Sequence, residues 1–147
     1  METCFVDTNI WLYAFIETQD KDKTASARSV IESNGQIAVS SQVISEVSVN
    51  LIKKAKFDES SIRQLIESFY AKYSIIEIGR AQLLKASELR LRHQFSYWDR
   101  LIVSCALSSG ALILYSEDMD SSLVIENRLK IVNPLFGNHS LNSGEPI

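Results

Sequence analysis

The stretch CFVDTNIW, residues 4–11, places an aspartate directly after a short apolar run and before an apolar segment with helical spacing. The run at about residues 3–6 is typical of a buried strand, and a helix is predicted at residues 10–16. Asp7 therefore lies at the end of a strand, where open α/β sheets bind their ligands. A functional site at this point needs further polar residues from other strand ends.

The composition is typical of one globular domain. The 147 residues are 46% hydrophobic and 22% charged, with five glycines and two prolines, which argues against a disordered chain. No apolar run approaches the roughly 20 residues that span a bilayer, and no signal peptide is recognisable, so we expect a cytoplasmic protein. Cys4 and Cys105 lack the paired spacing of a cysteine metal site, and we expect both to be buried free thiols.

Short apolar runs alternate with amphipathic segments, which predicts an α/β fold with a parallel sheet covered on both faces. The predicted strands lie at residues 3–6, 37–39, 74–78, 111–115 and 130–132. After the helix at 10–16, further helices are predicted at 20–34 and 42–54, from a cap at residues 58–61 to residue 73, at 80–93, and between Ser96 and Gly110. Residues 1–135 are predicted to form a single domain, and residues 136–147, rich in glycine, asparagine and serine, a flexible tail.

Asp99 is the most informative of the other acids. It lies in the first turn of a predicted helix, on the same stripe as Ile102, Val103 and Ala106, so its side chain is expected to face the core. A buried carboxylate needs a partner, which favours a functional site. The alternative is a capping box with Ser96, in which an acid of the first turn only stabilises the helix.

Two further acids have comparable placements. Glu46 lies beside the apolar stripe of the predicted helix at 42–54, where it is either a site residue or a solvated flank residue. Asp118 follows a buried strand, as Asp7 does, although it is equally consistent with an ordinary turn. Glu117 and Asp120 compete with Asp118 for any site function.

Carboxylates gathered at one edge of a sheet would repel each other and raise each other's pKa unless a cation neutralised them. Oxygen ligands without histidine or cysteine suit Mg²⁺ or Mn²⁺, and such sites commonly hydrolyse phosphodiesters. No glycine-rich nucleotide loop follows the first strand. Neither His93, in a basic cluster, nor His139, near the end of the chain, suits a serine-type triad. The net charge of −3 lacks the basic excess usual in nucleic-acid-binding domains.

Some aromatic and basic residues have two interpretations. Trp11 and Trp98 either stack on nucleic-acid bases or pack in the core or at its rim. The basic residues near the predicted helix at 80–93 and at its successor either steer a phosphate backbone or are simply solvated; they are Arg90, Arg92, His93 and Arg100.

Four motifs together resemble the PIN domain, and most closely the VapC-type toxins of bacterial toxin–antitoxin pairs. They are FVDTNI at residues 5–10, SEV at 45–47, SYWDRLIV at 96–103 and LYSED at 114–118. The resemblance extends from about residue 3 to residue 135. It implies a three-layer α/β/α sandwich with a central parallel sheet of four to five strands.

The same resemblance implies a Mg²⁺- or Mn²⁺-dependent endoribonuclease, usually a homodimer inhibited by a small antitoxin protein. The family's acidic quartet corresponds to Asp7, Glu46, Asp99 and Asp118. Asp7 and Asp99 would be the direct metal ligands, and Glu46 and Asp118 would hold water or a second ion.

Thr8 and Ser116 match hydroxyl residues often found beside the acids in this family. After Asp118 the chain departs from the family pattern, with Met119-Asp120 in place of a Gln-His-Gly-like turn. Asp120 is therefore an alternative fourth acid.

Two alternative functions stay open. A PIN-like module could bind RNA or protein without cleaving it, using the helical pair at residues 42–73, with Phe57, Phe69 and Tyr70, as a partner or dimer surface. The same acids could also serve a DNA or structure-specific nuclease.

Overall fold

A computed structural model describes residues 2–16, 20–33 and 35–135. The strands are β1 (Thr3–Val6), β2 (Gln36–Ser40), β3 (Ser74–Ile76), β4 (Ile113–Tyr115), β5 (Val124–Ile125) and β6 (Leu129–Val132). The helices are α1 (Thr8–Phe15), α2 (Lys21–Ser33), α3 (Ser41–Ala55), α4 (Glu59–Lys72), α5 (Arg80–Leu89) and α6 (Tyr97–Ser108). The tail predicted at residues 136–147 lies outside the described residues.

The strands form one mixed sheet in the order β3-β2-β1-β4-β6-β5. The first five strands of that order are parallel, and β5 pairs with β6 in the antiparallel direction. Since parallel crossovers are right-handed, the helices leading to β2 and β3 and those leading to β4 cover opposite faces of the sheet. The predicted α/β class and the sheet of parallel strands are confirmed.

The position of β1 in the sheet determines where a ligand can bind. The chain continues from β1 to β2 on one side, while β4 pairs with β1 on the other, so the strand order reverses between β1 and β4. Such a switch point, at the carboxyl ends of the strands, is where open α/β sheets leave a crevice. Val6 pairs with Tyr115 there, which brings Asp7 and Ser116 to the same edge.

Several element boundaries differ from the sequence-based expectation. Helix α5 ends at Leu89 rather than residue 93, because the following amide groups bond to carbonyls three residues back and tighten the chain into a turn. The basic cluster therefore lies in this turn. Strand β3 ends at Ile76 and β4 begins at Ile113, each two residues inside its predicted span.

Strand β5 was not predicted. It has only two residues and is joined to β6 by a tight turn in which Glu126 and Asn127 both have positive φ, 53° and 57°. Two consecutive positive φ values are typical of a type I′ turn, in which glycine usually occupies the second of these positions. The glutamate–asparagine pair therefore gave no clear hairpin signal.

An aromatic cluster joins α1 to α4 in the core. The Trp11 ring lies 5.0 Å from Phe69, 5.1 Å from Tyr73 and 5.7 Å from Phe15, measured between centroids. Its indole Nε1 donates to the carbonyl of Val6 at 3.0 Å. Trp11 is thus a core residue rather than a base-stacking one.

Phe69 is 2% exposed, so the expectation that it belongs to a partner surface of the helical pair at 42–73 is wrong. Cys4 and Cys105 are buried free thiols, as expected. In the described ranges, no helix has the length and apolar character needed to cross a membrane.

The two tryptophans offer a matched test of the packing. Trp11→Ala should lower the free energy of unfolding by about 3–5 kcal/mol, because it empties a fully buried site and leaves the Val6 carbonyl without its donor. Trp98 is 60% exposed, and Trp98→Ala should change the same quantity by no more than about 0.5 kcal/mol. Urea unfolding followed by circular dichroism measures both; similar losses for the two variants would contradict the packing described.

Candidate active site

Asp7 is fixed at the switch point by two hydrogen bonds. It is the N-cap of α1, and its Oδ1 accepts from the backbone N–H of Thr8 at 2.7 Å. Its Oδ2 accepts from the Ser116 hydroxyl at 2.9 Å, across the β1–β4 pair. The backbone N–H of Asp7 donates to Tyr115 at 3.0 Å. The carboxylate is therefore held between the two strands that flank the crevice.

Glu46 reaches the same place from α3. The Thr8 hydroxyl donates to Glu46 Oε1 at 2.6 Å, and the Gln42 side-chain amide donates to Oε2 at 3.2 Å. The side chain is half-buried. Glu46 is thus not a solvated flank residue: both of its oxygens are bonded and one bond joins it to the residue after Asp7.

Asp99 approaches from the start of α6. Ser96 is the N-cap of this helix, and its hydroxyl accepts from the backbone N–H of Asp99 at 3.1 Å. The Asp99 side chain is half-buried. The capping contact and a place among the acids therefore coexist. Ser96 contacts both the backbone and the carboxylate of Asp99, and this carboxylate lies near enough to Glu46 and Asp118 for their charges to raise its pKa.

The loop after β4 separates the three competing acids. Asp118 Oδ2 accepts from the Asn9 side-chain amide at 2.9 Å, which ties it to the residues that follow Asp7. Glu117 instead pairs with Lys23 at 2.8 Å and accepts from the Tyr13 hydroxyl at 3.2 Å. Asp120 is exposed. Glu117 thus has a structural partner, while Asp118 lies with the candidate site.

The four acids are close enough to affect one another. The pKa of Asp7 is raised from its ordinary value of 3.8 to about 6: burial raises it most, the hydrogen bonds from Thr8 and Ser116 lower it, and the charges of Glu46 and Asp99 add a smaller rise. Burial also raises the pKa of Asp99, with contributions from Asp118 and Glu46. Every member of the predicted quartet therefore interacts electrostatically with at least one other.

The donors present suit a hydrated hard cation. Within the described part of the chain, no three Asp, Glu, His or Cys side chains converge closely enough to coordinate one ion by themselves. Mg²⁺ normally keeps several waters and binds through only one or two carboxylates. Two carboxylates with raised pKa values, Asp7 and Asp99, fit that requirement, because a cation would lower the cost of their charge.

A cleft of about 700 Å³ adjoins the acids. Residues 92–96 and Asp99 line it from the segment around the start of α6, and residues 118–121, Leu123 and Asn133 line it from the far end of the sheet. Asp99 and Asp118 thus face a space large enough for a small organic ligand.

The sequence did not single out Asn9 and Gln42. Asn9 holds Asp118, and Gln42 holds Glu46. A sequence signal existed for Gln42, which lies four residues before Glu46 and so shares its helix face. Asn9 had no comparable signal, because its partner lies 109 residues further along the chain.

The raised pKa of Asp7 predicts a pH-dependent effect on stability. Between about pH 4 and pH 6 the folded state holds a proton that the unfolded state releases, so the free energy of unfolding falls as pH rises through this window. Asp7→Asn removes this titration and retains a capping side chain. In EDTA, the free energy of unfolding of the variant should therefore exceed that of the parent by on the order of 2 kcal/mol at about pH 7.5, whereas the two should be similar at about pH 4.

Urea unfolding at both pH values measures this difference. Asp58→Asn is the matched control: Asp58 caps α4 and accepts from the Ser61 N–H at 2.8 Å, but it is fully exposed and its pKa is lowered. That control should gain no stability at about pH 7.5. A gain for Asp7→Asn that is equal at both pH values would contradict the assignment of a buried, titrating carboxylate.

The fold resembles three solved structures that share little sequence with the chain. A toxin–antitoxin complex from Klebsiella pneumoniae matches with a TM-score of 0.67 and 20% identity, over 89% of this chain and 97% of that one. VapC20 of Mycobacterium tuberculosis, a sarcin–ricin loop cleaving toxin, matches with a TM-score of 0.67 and 18% identity, over 85% and 98%. VapBC2 from Rickettsia felis, bound to a promoter DNA fragment, matches with a TM-score of 0.60 and 22% identity, over 89% and 99%. At these identities the likeness concerns the fold.

No curated protein matches the chain. The family model of the PIN domain does match it, over residues 4–124. That span begins in β1, ends in β5 and contains all four of the acids. The chain therefore belongs to the PIN domain family.

Proposed function

We propose that the chain is a Mg²⁺- or Mn²⁺-dependent endoribonuclease and the toxin of a type II toxin–antitoxin pair. The observation that carries the proposal is the arrangement of Asp7, Glu46, Asp99 and Asp118, which four different parts of the chain bring to one sheet edge. Carboxylates that hold a divalent cation are a common means of hydrolysing phosphodiesters. The PIN family and the likeness to toxin structures point the same way.

In this proposal Asp7 and Asp99 hold the ion, since their charged forms are the ones that a cation would stabilise most. When bound, Mg²⁺ or Mn²⁺ supplies positive charge that activates the attacking water and balances charge on the phosphate. Glu46 and Asp118 orient water through their free oxygen lone pairs. Water attacks phosphorus in line with the departing 3′ oxygen, which leaves a 5′-phosphate and a 3′-hydroxyl.

Thr8 and Ser116 position the acids in this mechanism rather than reacting. The hydroxyl group of each donates a hydrogen bond to one carboxylate oxygen: Thr8 to Glu46, and Ser116 to Asp7. Such supporting bonds fix the direction in which the remaining lone pairs point. Asn9 serves Asp118 in the same way.

The partners proposed for this chain are an RNA substrate, a cognate antitoxin protein and a second copy of the chain. The similar structures include toxin–antitoxin complexes from Klebsiella pneumoniae and Rickettsia felis. The chain also carries exposed apolar side chains around α5 and the start of α6, with Leu91 84% and Leu84 61% exposed. Surfaces of this kind support protein partners.

The central test is cleavage of RNA by the purified chain. Mg²⁺ or Mn²⁺ should support cleavage and EDTA should abolish it. Asp7→Asn and Asp99→Asn should each reduce the rate by more than about 100-fold, because each removes a charge that holds the ion. Asp58→Asn provides the matched control, since it makes the same chemical change at another helix N-cap and should retain the parental rate.

Two outcomes would contradict the proposal. Cleavage that survives both EDTA and Asp7→Asn would mean a different site or a contaminant. Binding of RNA or a protein without cleavage under any divalent ion would favour the non-cleaving module. A parallel DNA substrate separates the remaining alternative, because preferential cleavage of DNA would indicate a DNA nuclease with the same acids.

The identity of the fourth acid has its own test. Asp118 and Asp120 are both exposed and lie in one loop, but the Asn9 amide bonds only to Asp118. Asp118→Asn should lower the RNA cleavage rate by about 10- to 100-fold, whereas Asp120→Asn should lower it less than about 3-fold. The reverse order of the two rates would assign the fourth position to Asp120.

A further inference from the structure

The cleft beside the acids is lined by an arginine and a histidine as well as by negative side chains. Arg92 and His93 line it together with Asp99 and Asp118. Both belong to the turn that follows α5, where their backbone N–H groups bond to Leu89. The early end of α5 therefore brings a cation to the cleft that a longer helix would have placed elsewhere.

The four basic residues that the sequence grouped together separate in the structure. Arg100 is turned inward, with Nη1 donating to the Ala86 carbonyl at 3.3 Å and the guanidinium 5.5 Å from the Tyr97 ring. Arg90 does not line the cleft. Arg92 and His93 are thus the two members of the cluster that face the candidate site.

Arg92 is available to a ligand. Within residues 2–16, 20–33 and 35–135, its exposed guanidinium makes no ion pair or hydrogen bond. Its charge helps to lower the pKa of Glu126, but Glu126 itself pairs with Lys85. An arginine that lies in a cleft with carboxylates but pairs with none of them can accept an anion in bidentate geometry, which phosphate provides.

A flat aromatic surface lies beside this cation. The rings of His93 and Phe95 are stacked, with centroids 5.5 Å apart and planes 29° apart, and both residues line the cleft. Stacked rings of this kind bind the face of an unpaired base. A cation that binds a phosphate and rings that bind a base together provide the two contacts that one nucleotide needs.

We propose that this cleft binds one unpaired nucleotide of an RNA strand next to the bond that is cleaved, with its phosphate on Arg92 and its base against the His93–Phe95 pair. The inference rests on the proposed ribonuclease function and specifies which residues of the cleft contact the nucleotide beside the cleaved bond. A cleft of about 700 Å³ lies within the roughly 300–1,000 Å³ of small-ligand pockets. It therefore has space for one nucleotide, and a base that stacks on the His93–Phe95 pair has to be unpaired.

Binding without cleavage tests this inference separately from the nuclease function. The probe is a fluorescein-labelled, mixed-sequence RNA of ~10 nucleotides, a length typical of single-strand sites, titrated in EDTA at several salt concentrations. Arg92→Gln should weaken binding about 5-fold or more. It should also reduce the slope of log binding constant against log salt concentration by about 0.7, because one phosphate contact is lost. Arg92→Lys should keep the slope, and Arg90→Gln, the matched control from the same turn, should bind as the parent does.

His93→Gln should weaken binding about 5-fold without changing the slope, since a stacked ring contacts a base and not a phosphate. The same probe annealed to its complement should bind more weakly than the single strand. Thermal unfolding of each variant shows whether the fold is kept.

The inference is overturned if Arg92→Gln and Arg90→Gln bind alike, if the parent does not bind the probe, or if the duplex binds as tightly as the strand. Equal binding of a glutamate peptide of ~10 residues would overturn the assignment to RNA. If the chain cleaves RNA while Arg92→Gln binds normally, the nuclease proposal survives and this inference fails. If Arg92→Gln weakens binding but no divalent ion supports cleavage, this inference survives as a binding site and the nuclease proposal fails.

Discussion

The parallel pairing of β1 with β4 is the contact on which the candidate site depends. Val6 lies opposite Tyr115, so the next residues of the two strands, Asp7 and Ser116, meet and form a hydrogen bond of 2.9 Å. This pairing also creates the reversal of strand order, which leaves a crevice that no crossover helix covers. If β1 shifted by one residue against β4, Asp7 would lose Ser116 and the alternation of side chains would reverse.

The tripeptide Asp7-Thr8-Asn9 connects most of the remaining acids to that pairing. Asp7 is itself an acid of the site, Thr8 bonds to Glu46 and Asn9 bonds to Asp118. The side chains of these three consecutive residues point in different directions because the backbone changes here from an extended strand to the N-terminus of a helix. Asp99 is the one acid of the quartet that this tripeptide does not bond, and Ser96 fixes its backbone instead.

This arrangement has a cost in stability that its proposed function explains. A partly buried carboxylate whose pKa is raised to about 6 is unfavourable in its charged form near neutral pH. Structural carboxylates usually show the opposite shift, as Asp58 does where it caps α4. Strain of this kind is common where side chains are placed for chemistry rather than for packing, and a bound cation would relieve it.

Local sequence patterns alone determined the main elements and the members of the site. Apolar runs and helical spacing predicted the α/β class, five of the six strands and the six helices α1 to α6 of the described residues, since both signals depend on neighbours within a few residues. Asp7 and Asp99 were identifiable from a strand end and a core-facing stripe. The sequence also named Glu46 and Asp118, but left each beside an ordinary surface interpretation.

Only the tertiary structure decided between those interpretations, because the deciding partners are distant in the chain. Thr8 and Glu46 are 38 residues apart, and Asn9 and Asp118 are 109 residues apart. Glu117 was equivalent to Asp118 in sequence until Lys23, 94 residues away, was seen to pair with it. In the same way, the turn after α5 separated Arg92 from Arg90 and Arg100, and packing placed Trp11 in the core while Trp98 stayed exposed. Short-range patterns specify which residues form each element, whereas the pairing of strands and the packing of helices specify which side chains meet.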